Sequence, residues 1–180
     1  PYAAAKLAAH EACRIFRDGY GMFVSCGILF NHESPRRGET FLTRKVTRAV
    51  GRIKAGLQDD LYLGNLYAVR DWGYAPEYVE MMWKMLQHDE PDDFVIATES
   101  RWSVQDFVRA AFEAAGLSSD QHVRVVQRYI RPVDVPLLHG DAHKARRVLG
   151  WNPKVTGGEL VRIMVEHDIA LAFKEKRANG

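Results

Sequence analysis

The run MFVSCGILF, residues 22–30, leads directly into the polar segment NHESPRRGETF, residues 31–41. Near-continuous apolar character is the pattern of a strand buried on both faces of a parallel sheet. A strand that opens into a loop dense in Asn, His, Glu and Arg puts polar chemistry at its carboxyl end, where open α/β sheets bind ligands. Turning the chain needs Pro35 and Gly38, but not that density of functional groups. Arg36 and Arg37 present adjacent forks of donors suited to phosphate.

The rest of the chain alternates. Residues 2–18 read as an Ala-rich helix stopped near Gly19 and Gly21. A helix is expected over 41–55 with Phe41, Leu42, Val46, Ala49, Val50 and Ile53 facing inward. Short strands are expected at 60–63 and 67–71, then a helix opened by Pro76 and running to 87, then a strand at 93–98. Ser103 and Asp106 form a capping-box variant for a helix that stops at Gly116. A Val-rich strand over 123–129, a short helix between Asp141 and Gly150, and a last helix over 160–175 complete the pattern. Strands alternating with helices predict an α/β fold. Two interleaved parts are expected: the end of a nucleotide-binding sheet (about 1–30 and 75–98) and a smaller substrate-binding part (about 31–74 and 99–180).

Composition excludes several classes. A net charge of +2 with dispersed basic residues argues against a nucleic-acid surface. No apolar stretch approaches the about 18 residues of a membrane span. Cys13 and Cys26 give neither a disulfide framework nor metal-ligand spacing, and read as packed thiols of a reducing, cytoplasmic protein. His122, His139 and His143 also lack ligand spacing, so no metal is expected. Trp72, Trp83, Trp102, Trp151, Phe107 and Phe112 read as packing residues, and Lys144, Arg146 and Arg147 as a solvated helix face.

Tyr2 and Lys6 stand four apart in a helical sequence, so phenol and ammonium share one face. A nearby cation favours the phenolate, which makes Tyr2 a candidate general base and acid. Taken with NHESPRRGETF, and with GLQDDLYLGNLYAVRDWGYAPEYVEMMWKMLQ, DEPDDFVIAT and RYIRPVDVPLLHGDAHKARRVLGWNPKV, this pair resembles the extended short-chain dehydrogenase/reductase family. Within it, the wording of these segments is similar to the GDP-mannose 4,6-dehydratases, over nearly the whole chain.

The resemblance implies a Rossmann-like, NAD(P)-binding α/β fold whose N-terminal βαβ units lie outside these residues. No glycine-rich pyrophosphate turn occurs in the sequence, since Gly19-Tyr20-Gly21 precedes a strand and has Val24 where a third glycine belongs. The chain therefore reads as the carboxyl-terminal portion of a longer enzyme, with a catalytic Thr or Ser and a Glu expected upstream, and as inactive alone. By resemblance, Tyr2 and Lys6 are catalytic and contact the cofactor NADP, as do His32 and Arg37. Asn31, Lys45, Arg70, Arg131 and Asp134 contact the substrate GDP-mannose. Asp134 stands where the family usually has Glu, and Pro132 favours an extended Arg131. The reaction implied is an internal redox dehydration to GDP-4-keto-6-deoxymannose. A homotetramer joined through the Arg36-Arg37 loop is implied as well. A related nucleotide-sugar reductase, epimerase or dehydratase remains an alternative, as does a non-catalytic binding or assembly module.

Overall fold

In a computed structural model, residues 1–130 and 133–179 are described. The elements in chain order are α1 (Tyr2–Tyr20), β1 (Cys26–Leu29), β2 (Asn31–Glu33), α2 (Leu42–Lys54), β3 (Leu61–Leu63), β4 (Val69–Arg70), β5 (Trp72–Tyr74), α3 (Ala75–Met85), β6 (Asp93–Ile96), β7 (Trp102–Ser103), α4 (Val104–Ala114), α5 (Ser119–His122), β8 (Val123–Val125), α6 (His143–Leu149) and α7 (Gly157–Asn179). β1 pairs with β6, β2 with β5 and β3 with β8, all parallel, while β4 and β7 pair antiparallel. Parallel pairs joined through helices make this an α/β fold, as the alternation predicts.

Helix boundaries follow local chemistry. α1 ends where Gly21 takes φ 63°, the left-handed conformation that glycine adopts without a Cβ clash. In α4 the capping box is complete: Ser103 Oγ accepts from the Asp106 N–H, and the Asp106 carboxylate accepts from the Ser103 N–H. Pro76 sits in the first turn of α3, where its missing N–H costs no helical bond.

Several expectations are corrected. The predicted strand 22–30 starts only at Cys26 and breaks at Phe30, so two strands with different partners replace one. Gly27 and Ile28 are exposed, so β1 is not buried on both faces among the described residues. The strand expected over 67–71 is only Val69–Arg70, and a separate strand, Trp72–Tyr74, follows it. The valine run ends as a strand at Val125 and passes into a 3-10 turn, Gln127–Tyr129. Phe41 faces out, because it is the non-helical cap of α2 and its ring lies 3.8 Å from the Arg37 guanidinium. Trp83 is also exposed. Lys144 and Arg146 are not simply solvated: Lys144 Nζ lies 2.6 Å from Asp92 and Arg146 Nη1 2.9 Å from Glu99.

Two apolar cores hold the elements. The larger joins α2, α4 and α7 with β3 and Trp72, through Val46, Val50, Phe107, Phe112, Leu160 and Met164 among others. The smaller joins α3, β6 and α6 through Tyr78, Met81, Phe94 and Trp151. A buried ion pair crosses the first core. Arg44 Nε on α2 donates to both oxygens of Asp168 on α7, at 3.0 and 2.9 Å, and Thr47 Oγ1 donates to the same carboxylate at 2.6 Å. The guanidinium also donates to the carbonyls of Pro35 and Arg37, which fixes the arginine loop to the core. The helices meet closely at Gly51, where any Cβ would run into the Asp168 backbone carbonyl.

Asp168→Ala should strand the Arg44 charge in the core and lower the urea unfolding free energy by about 3–5 kcal/mol. The paired change Arg44→Met with Asp168→Leu should cost less, since no charge is then left unpaired. A double variant as unstable as the single one would show that packing, not the stranded charge, sets the loss.

Candidate functional site

Six of the sequence-selected residues, Tyr2, Asn31, Arg37, Lys45, Arg70 and Asp134, border one cavity of about 870 Å³. They come from α1, β2, the arginine loop, α2, β4 and the segment after β8, so it is the fold, not chain proximity, that gathers them. A smaller hollow of about 380 Å³ adjoins it, sharing Lys45 and Tyr129 and adding Arg48 and Arg52.

Each cation in the cavity is held by a different device. Arg70 Nη1 donates to the Val69 and Val135 carbonyls at 2.8 and 2.7 Å, and Nη2 donates to Asp134 Oδ1 at 2.9 Å. Asn65 Nδ2 donates to the other Asp134 oxygen at 3.3 Å. Lys45 Nζ donates to the Tyr62 carbonyl at 2.6 Å and stands 4.1 Å from the centre of the Tyr129 ring. Arg37 Nε lies 3.3 Å from Glu33 Oε2, but it is buried with no hydrogen-bond partner among the described residues. The Arg37 guanidinium on the cavity wall, ion-paired through Nε to Glu33, carries further N–H donors suited to an anionic ligand such as a phosphate.

The other expected residues stand elsewhere. Tyr2 and Lys6 share the exposed face of α1, with Lys6 Nζ 5.7 Å from the Tyr2 ring centre, but only Tyr2 reaches the cavity wall. His32 lies off the cavity, donating from Nδ1 to the Phe30 carbonyl at 2.9 Å and stacking on Tyr78. Arg131 falls outside the described residues. Arg36 is exposed to solvent.

Two carboxylates escaped the sequence reading. Glu33 is 2% exposed yet contributes to the cavity wall, and its Oε2 accepts from Thr43 Oγ1 at 2.6 Å. It is two residues from Asn31 on β2, so the period of a strand places both on one face. Asp71, fully buried, accepts from the Thr98 N–H and hydroxyl and from the Glu99 N–H, which ties β4–β5 to the turn after β6. In that turn Glu99 holds φ at 62°, an uncommon conformation for a residue with a side chain. Among the described residues, two clusters have the chemistry of metal ligands, His10–Cys26–Asp93 and Glu99–Asp141–His143, and neither contributes to the cavity wall.

Burial raises the Glu33 carboxyl above its ordinary value, against the lowering effects of the Thr43 hydrogen bond and the Arg37 charge. A raised folded-state value means stability present below the ordinary carboxylate range and lost as pH climbs through the raised one. Asp93, lowered chiefly by its hydrogen bond to Arg17, runs the other way: its contribution is present above the ordinary value and lost on acidification. Glu33→Gln should therefore lose less stability than the parent as pH rises from about 4 to 7. Superimposable stability profiles of the two proteins would take Glu33 out of this role.

Comparison with known proteins adds to this geometry. The GDP-mannose 4,6 dehydratase family model matches residues 1–164. The chain is 56% identical over 176 residues to "GDP-mannose 4,6 dehydratase 2" of Arabidopsis thaliana, covering 98% of this chain and 47% of that one. It is 47% identical over 188 residues to the Homo sapiens GDP-mannose 4,6 dehydratase, covering 95% and 50%. The chain thus spans about half the length of the curated relatives it matches. Among solved structures it is similar to RMD from Pseudomonas aeruginosa complexed with NADPH, with TM-score 0.83, 20% identity, and coverage of 94% and 56%. It is likewise similar to dTDP-glucose 4,6-dehydratase from Bacillus anthracis in complex with NAD, with TM-score 0.81, 18% identity, and coverage of 93% and 51%. These last two likenesses are of fold alone.

Proposed function

The chain belongs to the GDP-mannose 4,6 dehydratase family, and from that premise we propose that it carries the nucleotide-sugar side and the tyrosine of an NADP-dependent dehydratase acting on GDP-mannose. The observation that carries this reading is the single cavity bordered by Tyr2, Asn31, Arg37, Lys45, Arg70 and Asp134. A nucleotide sugar needs cations for its diphosphate, polar groups for base and ribose, and a proton acceptor at the sugar. That wall offers all three.

In this reading Arg70 holds the diphosphate. Lys45 and Asp134 bind the nucleoside, and Asn31 the sugar side. Tyr2 takes the proton from the C4 hydroxyl as that carbon is oxidised, with Lys6 one turn along α1 on the same face. The chemistry NADP supplies when bound is removal of hydride from C4 and its return at C6, after water is lost across C5 and C6. Arg37 and His32 are its proposed holders here, and the Arg37 guanidinium on the cavity wall is the feature that fits its phosphate. Arg36, free of the core, is left for a neighbouring subunit in a homotetramer. No helix among the described residues is long and apolar enough to cross a membrane, and we place the enzyme in the cytoplasm.

Calorimetry on the chain should find GDP-mannose bound in preference to UDP-glucose. Arg70→Ala should weaken GDP-mannose by about ten- to a hundredfold, the worth of a charge-assisted contact. Equal affinity for the two sugars, or an unchanged Arg70 variant, would remove the reading.

The 180-residue chain should convert no GDP-mannose to the 4-keto-6-deoxy sugar, because it contains no glycine-rich turn for a cofactor pyrophosphate. Product formation by the purified chain would overturn that. In any active form of the protein, Tyr2→Phe should lower turnover by about 10²-fold or more while leaving GDP-mannose affinity in place. Near-normal turnover would assign the base elsewhere.

A further inference from the structure

α1 presents Tyr2 to the cavity, yet none of its residues is buried. Its described fastening is largely polar. Arg17 Nη1 donates to Asp93 Oδ1 at 2.7 Å and to the Val24 carbonyl at 3.3 Å, and His10 Nε2 lies 3.4 Å from Asp93 Oδ2. Cys26 and Asp93 stand side by side at the start of the β1–β6 pair, and both thiols of the chain are free and half-buried. The ligand atoms of His10, Cys26 and Asp93 lie within 4.8 Å of one another.

The convergence has a structural cause. His10 stands on α1. Cys26 and Asp93 open β1 and β6 and are register partners in the parallel pair. Three elements thus bring an imidazole, a thiol and a carboxylate together, a set that no spacing along the sequence announces. We propose that His10, Cys26 and Asp93 form a metal site for a zinc-type divalent cation, with His10 Nε2, Cys26 Sγ and Asp93 Oδ2 as ligands and a fourth position left to solvent, clamping the helix of Tyr2 and Lys6 to β1 and β6.

The ligand chemistry suits such an ion. Zinc takes nitrogen, sulfur and oxygen in a tetrahedron at about 2.0–2.3 Å, so the cluster must contract by roughly 1 Å, within reach of side-chain rotation. The Cys26 thiol gives its proton to solvent as its sulfur becomes a ligand. One thiolate and one carboxylate bring two negative charges, which the cation balances, while Arg17 stays on the other oxygen of Asp93. Arg17 also fixes the orientation of that carboxylate, the part an outer partner plays at metal sites. In the metal-free cluster the Cys26 thiol is pushed up to about 12, by burial first and then by Cys13 and Asp93. A bound cation reverses that order and deprotonates a coordinating thiol outright. His10 and Asp93 keep side-chain exposures of 33% and 25%, which leaves an entry path. The second candidate cluster offers no sulfur, and Asp141 and His143 are each 80% exposed, so it serves as the control.

The test is a cobalt and zinc titration of the purified chain, reduced and stripped of metal. Cobalt should bind one equivalent with tetrahedral visible bands and a thiolate charge-transfer band, and zinc should displace it. Cys26→Ser and, on the exposed helix face, His10→Ala should each lower zinc affinity by more than about a hundredfold, because loss of an outer partner alone costs ten- to a hundredfold. Asp141→Asn should change nothing. Zinc should raise the Tm of the parent chain and leave that of His10→Ala unmoved. A cobalt spectrum without a thiolate band, affinity unchanged in both ligand variants, or a Cys13–Cys26 disulfide in a chain whose reduced form takes up no metal would each overturn the site.

Discussion

The salt link between Arg44 and Asp168 is the constraint on which the cavity depends. It joins α2 to α7 across 124 residues of sequence, inside an apolar core. A buried pair of this kind adds little net stability over apolar substitutes, so its worth lies in what else it fixes. Here the guanidinium has donors to spare. Having spent Nε on the carboxylate, it turns Nη1 to the carbonyls of Pro35 and Arg37 and holds the arginine loop at the mouth of the cavity. Thr47 satisfies the carboxylate further, and Gly51 allows the two backbones to come close enough for the link to form.

Around that link the structure divides its work. Apolar cores position α2, α4 and α7 on one side and α3, β6 and α6 on the other. Buried carboxylates then fix the turns that the cores leave free: Asp71 gathers the backbone after β6, and Glu33 sits between Thr43 and Arg37. α1 is the exception, since it is fastened mainly through polar groups at Asp93 rather than by burial.

Much of this was legible in the residues. Helices with an explicit start or stop signal, such as α4 with its Ser103–Asp106 box and α1 with Gly21, matched the sequence reading closely. Arg70 stood out as an arginine at a strand end and Asn31 as the first residue of the polar segment after an apolar run, while the family resemblance added Lys45 and Asp134. The strands were read less well, for a physical reason. An apolar run such as 22–30 does not reveal where hydrogen bonding changes partner, and only the pairing of Phe30 N–H with the Ile96 carbonyl fixes the break there. A strand as short as Trp72–Tyr74 has too few residues to show a period. Glu33 and Asp71 were passed over because a carboxylate beside a loop looks solvated until burial is known.

Arg70 reaches the cavity already engaged by Asp134. Association of an anion at that guanidinium is therefore an exchange of one counter-charge for another, and its free energy is a difference between two ion pairs. A singly charged ligand swaps like for like and gains little. A ligand with charge on two neighbouring phosphoryl groups attracts the guanidinium more strongly than one carboxylate does, and leaves the released Asp134 to accept from the nucleoside. The protein's own carboxylate so sets a threshold, a tariff in charge that filters solutes before shape complementarity is consulted.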